Sequence, residues 1–179
     1  ARTAATDDEK IRVELNTAIT HFWKRGDEPA AAKALDRAEA LGPSEWSEEA
    51  SAIRALLLAA QGRCTESIEI AEPFIDRPPD RVLIQATMAL THAYRTTGRA
   101  QDAVAVCDRA LAVYADLGEQ IALITMRVLG VGRTIALADA GRLFEAETEA
   151  TRLMQMTRTE GEIDGIGLAA LVHGWVLFT

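Results

Sequence analysis

Proline is scarce in this 179-residue chain, with five residues, and aromatic side chains make up only 5% of it. No run of alternating β-branched residues bounded by turns occurs, which argues against strands. There are two cysteines, Cys64 and Cys107, too few for a disulfide framework. That usage fits a reducing cytoplasm, and a bridge between the two is not expected. Lysine is nearly missing, with 3 against 16 arginines, and no dense basic stripe offsets the net charge of −8. A phosphate backbone would be repelled by this balance, so no nucleic acid is expected to contact this segment. The longest apolar stretch, Ile121 to Ala140, has the length of a membrane span but carries Arg127, Arg133 and Asp139. Three charges make insertion costly, so it reads as a buried helix, with no membrane partner. No signal peptide opens the chain. Residue 1 is Ala rather than Met, which points to a removed upstream part and a fragment of a longer protein.

What is present is alanine, 33 residues of it, in a chain that is 49% apolar. Alanine loses no side-chain entropy on entering a helix and lets helices approach closely, so the class is all-α. A glycine recurs at 26, 62, 98 and 141, at spacings of 36, 36 and 43, each followed five positions later by a small residue: Ala31, Ser67, Ala103, Ala146. Periods of this size mean stacked supersecondary units, none of which can bury its own apolar face. The spacing predicts first helices over 9–25, 47–61, 80–97 and 119–140, and partner helices over 28–41, 65–75, 100–117 and 143–157. A ninth helix over 162–178 ends the chain, after a polar, flexible segment over 1–8. Residues 9–179 form one repeat domain.

Aligned on the glycines, the residue four before is Phe22, Leu58, Tyr94 and Leu137; nine after is Leu35, Ala71, Cys107 and Ala150; twelve after is Ala38, Phe74, Ala110 and Leu153. Pro43 and Pro79 stand seventeen after the first two. This pattern resembles the tetratricopeptide repeat, best in the first three units; the fourth lacks the proline and has a longer connection through Asp116-Leu117-Gly118-Glu119. The resemblance implies a right-handed α-α superhelix of about four hairpins plus the ninth helix. The Gly-Arg turns at 62–63, 98–99 and 141–142 are similar to those of the helical-repeat sensor arrays of bacterial LuxR-type and MalT-like transcriptional regulators. In that family a nucleotide-binding module precedes the repeats and a helix-turn-helix module follows; neither is in this chain.

In tetratricopeptide arrays the first helix of each repeat lines the concave surface. By register the resemblance then places Asn16, Thr20, Trp23 and Lys24 in the groove, with Ala52, Leu56 and Ala59. Gln85, Met88, His92 and Arg95 follow, then Val128, Val131 and Ile135. Several of the aliphatic ones could equally pack between adjacent helices. The set is apolar with a few donors and suits a protein, a peptide or a small-molecule inducer. The Lys and Asn residues of arrays that grip acidic chaperone tails are not reproduced.

Other constellations carry little chemistry. Gly130-Val131-Gly132 lies in an apolar helical run without the strand and further glycines of a phosphate loop, so it reads as close helix packing or a kink. His21, His92 and His173 lack metal-ligand spacing, and no local nucleophile motif occurs. No metal, cofactor or catalytic residue is expected. The last helix carries Leu168, Leu171, Trp175 and Phe178 as one stripe and is apolar on nearly all sides, so it wants further neighbours. Two functions stay open: a non-enzymatic binding module in the signalling region of a bacterial regulator, or an assembly scaffold whose last helix makes a homodimer, through Leu171, Trp175 and Phe178, or a longer superhelix.

Overall fold

The computed structural model describes residues 6–115, 119–160 and 163–178. It is 84% helical, with nine α-helices and no strand among the described residues. They are α1 (Asp7–Thr20), α2 (Glu28–Ala40), α3 (Ser47–Ala60), α4 (Cys64–Ala71), α5 (Arg81–Thr96), α6 (Ala100–Ala115), α7 (Glu119–Asp139), α8 (Leu143–Glu160) and α9 (Ile163–Leu177).

Local chemistry sets the ends. Thr6 begins α1 by a capping box, its hydroxyl accepting from Glu9 N–H while the Glu9 carboxylate accepts from Thr6 N–H at 2.7 Å. Two orphan donors are satisfied at once, so helix starts at Asp7 and takes in two residues expected to be flexible. Residues 1–5 of that segment, like the connection through 116–118, lie outside the described residues. Asp27 and Asp80 cap α2 and α5 through Ala30 N–H and Leu83 N–H. Pro73 has no N–H to continue α4, so the chain tightens there into a 3₁₀ turn over Glu72–Phe74.

The four turn glycines all have positive φ, between 61° and 77°. In the last three hairpins the residue after the glycine donates five positions back: Arg63 to Leu58, Arg99 to Tyr94 and Arg142 to Leu137. This is the Schellman closure, for which glycine supplies the left-handed residue at no steric cost. The first turn differs. Residues His21–Arg25 form a π-helical turn, and Asp27 N–H reaches six positions back to His21 C=O. One extra residue is housed there.

Helices α1, α3, α5 and α7 each pack on the even helix that follows, and α3 on α5 is the most extensive contact between hairpins. Helices α1 and α3, and α5 and α7, also touch, while α9 lies against α8 and α7. Alanine makes this closeness possible: Ala31, Ala34, Ala52, Ala55, Ala86, Ala89, Ala103 and Ala136 are completely buried. Leucines on α5 and α7 (Leu83, Leu90, Leu129, Leu137) fill the main core. Ile11, Leu15, Leu35 and Ile53 make a smaller one under α1 and α2. The Tyr114 hydroxyl donates to the Asp80 carbonyl, tying α6 to the start of α5. No helix among the described residues is long and apolar enough to cross a membrane.

Candidate functional site

Because the odd helices sit side by side, their shared face is where a concavity forms. A cavity of about 310 Å³ opens there. Its wall takes Phe22 and Trp23 from the π turn, Leu56 and Ala60 from α3, and Met88, Thr91, His92 and Arg95 from α5. Cys107 of α6 and Val128, Leu129, Val131, Gly132 and Ile135 of α7 complete it. All four hairpins contribute.

Of the residues expected from the sequence, Trp23, Leu56, Met88, His92, Arg95, Val128, Val131 and Ile135 come together here. Ala52 and Ala59 are completely buried in helix contacts instead. Gln85 is half-buried off the cavity, and Lys24 is exposed away from it. Asn16 and Thr20 face a separate surface pocket with Val13, Thr17, His21 and Arg25. For Asn16 and Thr20 the physical reason is the π turn. Counting back from Gly26 with an α-helical register is wrong by one residue above the turn, and one residue rotates a helix by about 100°. Phe22, Ala60, Thr91, Cys107, Leu129 and Gly132 were not expected. All but Cys107 lie on odd helices or the π turn, within four positions of an expected residue, and that helical neighbourhood was the available signal.

The polar groups of the wall are mostly committed to one another. Thr91 Oγ donates its single proton to Thr87 C=O at 2.7 Å. It therefore accepts from the Cys107 thiol, 3.1 Å away. Burial pushes that thiol up to about 11, so it stays protonated. Arg95 Nε–H donates to Asp139 Oδ2 at 2.6 Å, and among the described residues Arg95 is the one charged side chain in the wall. His92 stands at the open side, where loss of solvent around the ring, and then the Arg95 charge, lower its pKa. It is neutral at pH 7 and keeps one donor and one acceptor. Trp23 is half-exposed at the rim, edge-on to Phe22 with ring centroids 4.9 Å apart.

Gly132 leaves its part of the wall without a side chain; a Cβ there would sit 3.4 Å from the Thr91 methyl. Gly130, one step round α7, meets α8, and a Cβ would stand 2.9 Å from a methyl of buried Leu153. The two glycines thus do different work in one helix. A second polar cluster lies where α3 meets α5. Glu49 is buried there with an Arg81 guanidinium nitrogen 2.8 Å from its carboxylate. Burial raises the Glu49 pKa and Asp80 adds to the rise, against Arg81 and Arg12. Among the described residues no group of three or more His, Cys, Asp or Glu could hold a metal ion.

At the far end, Leu171 and Phe178 of the α9 stripe are exposed, at 70% and 95%, and Trp175 is partly so at 38%. Ala169, Val172 and Val176 bury the opposite side of α9.

Comparison with protein-family models, with curated proteins and with solved structures finds no match. The cavity is therefore argued from its own geometry.

Proposed function

We propose that this chain is a non-enzymatic helical-repeat binding module whose ligand or partner enters the cavity between α3, α5 and α7. The observation that carries the reading is the convergence of all four hairpins on one apolar cavity, with a neutral histidine and an internally paired arginine at its edge. Binding sites are commonly concave, apolar and sparingly polar in this way. The protonated Cys107 thiol and the committed Thr91 hydroxyl favour recognition over catalysis. The tetratricopeptide-like turns, and their similarity to regulator sensor arrays, make the sensor or interaction region of a cytoplasmic bacterial LuxR-type regulator the natural setting. In that setting the hairpins form a right-handed superhelix and binding alters how neighbouring modules pack.

The test is a nuclear magnetic resonance screen of mixed small molecules and short peptides against the whole chain. Binders are expected to shift the Met88 and Ile135 methyl signals. If binders cluster elsewhere on the surface and leave those methyls unmoved, the cavity is not the site.

The exposed α9 stripe favours a second reading, assembly with a second copy through Leu171, Trp175 and Phe178. Light scattering decides it: a dimer that Leu171→Glu dissolves supports pairing, and a monomer at high concentration rejects it.

A further inference from the structure

The wall of the cavity restricts what can enter it, because its polar atoms and its charge are already matched within the protein. Among the lining side chains, the Cys107 thiol and the Thr91 hydroxyl satisfy one another and the Thr87 carbonyl. The Arg95 cation faces the Asp139 carboxylate. Among the described residues three hydrogen-bonding functions are left toward the opening: the ring of His92, the outer nitrogens of Arg95 and, at the rim, the indole N–H of Trp23. The other described side chains that a ligand would touch are hydrocarbon or thioether, supplied by Leu56, Met88, Val131 and Ile135, with bare backbone at Gly132.

We infer that the cavity takes a neutral, largely apolar small molecule carrying one hydrogen-bonding group, its body between Met88 and α7 and its polar end toward His92 and Arg95. This rests on the cavity being the binding site, and specifies what binds there.

Three physical arguments select this class. An anionic ligand would meet Arg95 with Asp139 already on it, inside a chain of net charge −8. A carboxylate entering the apolar part would lose its water without a cation of its own, which costs far more than burying a neutral group. A cationic ligand would lose its water too, facing a neutral imidazole and a guanidinium in the wall. An extended peptide brings an N–H and a C=O at every residue, and buried backbone groups need partners. Three side chains at the opening cannot supply them. A small neutral molecule brings few such groups, and about 310 Å³ is near the lower end of ligand cavities.

The experiment uses two dyes with the same ring body, neutral phenylnaphthylamine and its sulfonated counterpart anilinonaphthalenesulfonate, titrated by fluorescence into the full chain. Phenylnaphthylamine is expected to bind at one saturable site and the sulfonate at least about tenfold more weakly. Val131→Trp, which fills the cavity from α7, is expected to weaken phenylnaphthylamine at least about tenfold. Met88→Trp fills it from α5 and serves if the first variant does not keep the helical circular dichroism of the parent. Leu171→Ser with Phe178→Ser removes the other apolar surface and is expected to leave binding unchanged.

If the sulfonate binds as tightly as the neutral dye and loses its affinity in Arg95→Gln, the neutral class is overturned while the cavity remains the site. If neither dye responds to the filling variants, or both are lost with the α9 changes, the cavity itself is overturned as the site.

Discussion

Arg95 of α5 and Asp139 at the end of α7 are joined by a 2.6 Å hydrogen bond from the guanidinium Nε–H to the carboxylate, at the edge of the cavity. The pair sets the charge that an incoming molecule meets. Both side chains are partly exposed, so each contributes modestly to stability, about 0.5–1 kcal/mol. Asp139→Asn should therefore fold normally and leave Arg95 without its counter-ion. The expected outcome is a several-fold gain in affinity for anilinonaphthalenesulfonate, read by fluorescence. An unchanged affinity would mean Asp139 does not govern which charge the site accepts.

Gly130 and Gly132 should part company when each is replaced by alanine. Glycine in a helix costs about 1 kcal/mol against alanine. At Gly132 the new methyl makes contacts no closer than 3.4 Å, so Gly132→Ala should gain about 0.5–1 kcal/mol. At Gly130 it would stand 2.9 Å from a Leu153 methyl that has no room to retreat, with Leu153 only 1% exposed. Overpacking of about 1–3 kcal/mol then offsets the propensity gain, so Gly130→Ala should lose roughly 1 kcal/mol. Urea denaturation of both variants decides; equal shifts would mean α8 yields to the added methyl.

Glu49 predicts how stability follows pH. Its carboxyl has a higher pKa folded than unfolded, chiefly because burial disfavours the charge. The folded state then holds the proton more tightly, so the ionised group destabilises the protein as pH rises through the raised pKa. Below the unfolded value, about 4.3, both states are protonated and the cost is gone. Glu49→Gln should melt higher than the parent at pH 7, and the gap should close toward pH 4. A variant that melts lower at pH 7 would show that the Arg81 ion pair outweighs the loss of solvent.

Neither cysteine should react readily in the folded protein. Cys107 is 1% exposed with its thiol pushed up to about 11, and Cys64 is 5% exposed. Thiolate is the reactive form, so iodoacetamide at pH 8 should label both only after denaturant is added. Prompt labelling of Cys107 in the native chain would show that the Thr91 contact opens on its own.

The fold was legible because its punctuation is chemical. Gly62, Gly98 and Gly141 each occupy a left-handed residue that few other side chains accept, so the turn leaves its mark directly in the sequence. The cavity was legible where one register holds from hairpin to hairpin: Leu56, Met88, His92, Val131 and Ile135 all follow from counting back to the turn. Asn16 and Thr20 did not, because a π turn carries no residue signature and shifts everything before it. Pairings such as Arg95 with Asp139 were invisible for another reason. They join residues 44 apart in the chain, and only the packing of α5 on α7 brings them together.

The wide turn at His21–Arg25 acts in one direction. Everything from Gly26 onward keeps its phase with the other hairpins, while α1 before it is turned by about 100° about its own axis. The buried stripe of Ile11, Leu15 and Ala18 sets which face of α1 packs inward, and the wide turn lets that stripe meet α2 and α3 despite the extra residue. Removing one residue there would wind the turn back to α-helix with Asn16 and Thr20 on the face they occupy now, because the π turn already absorbs the extra residue. The turn thus lets the chain carry one more residue than its sister hairpins while α1 stays seated on α2 and α3.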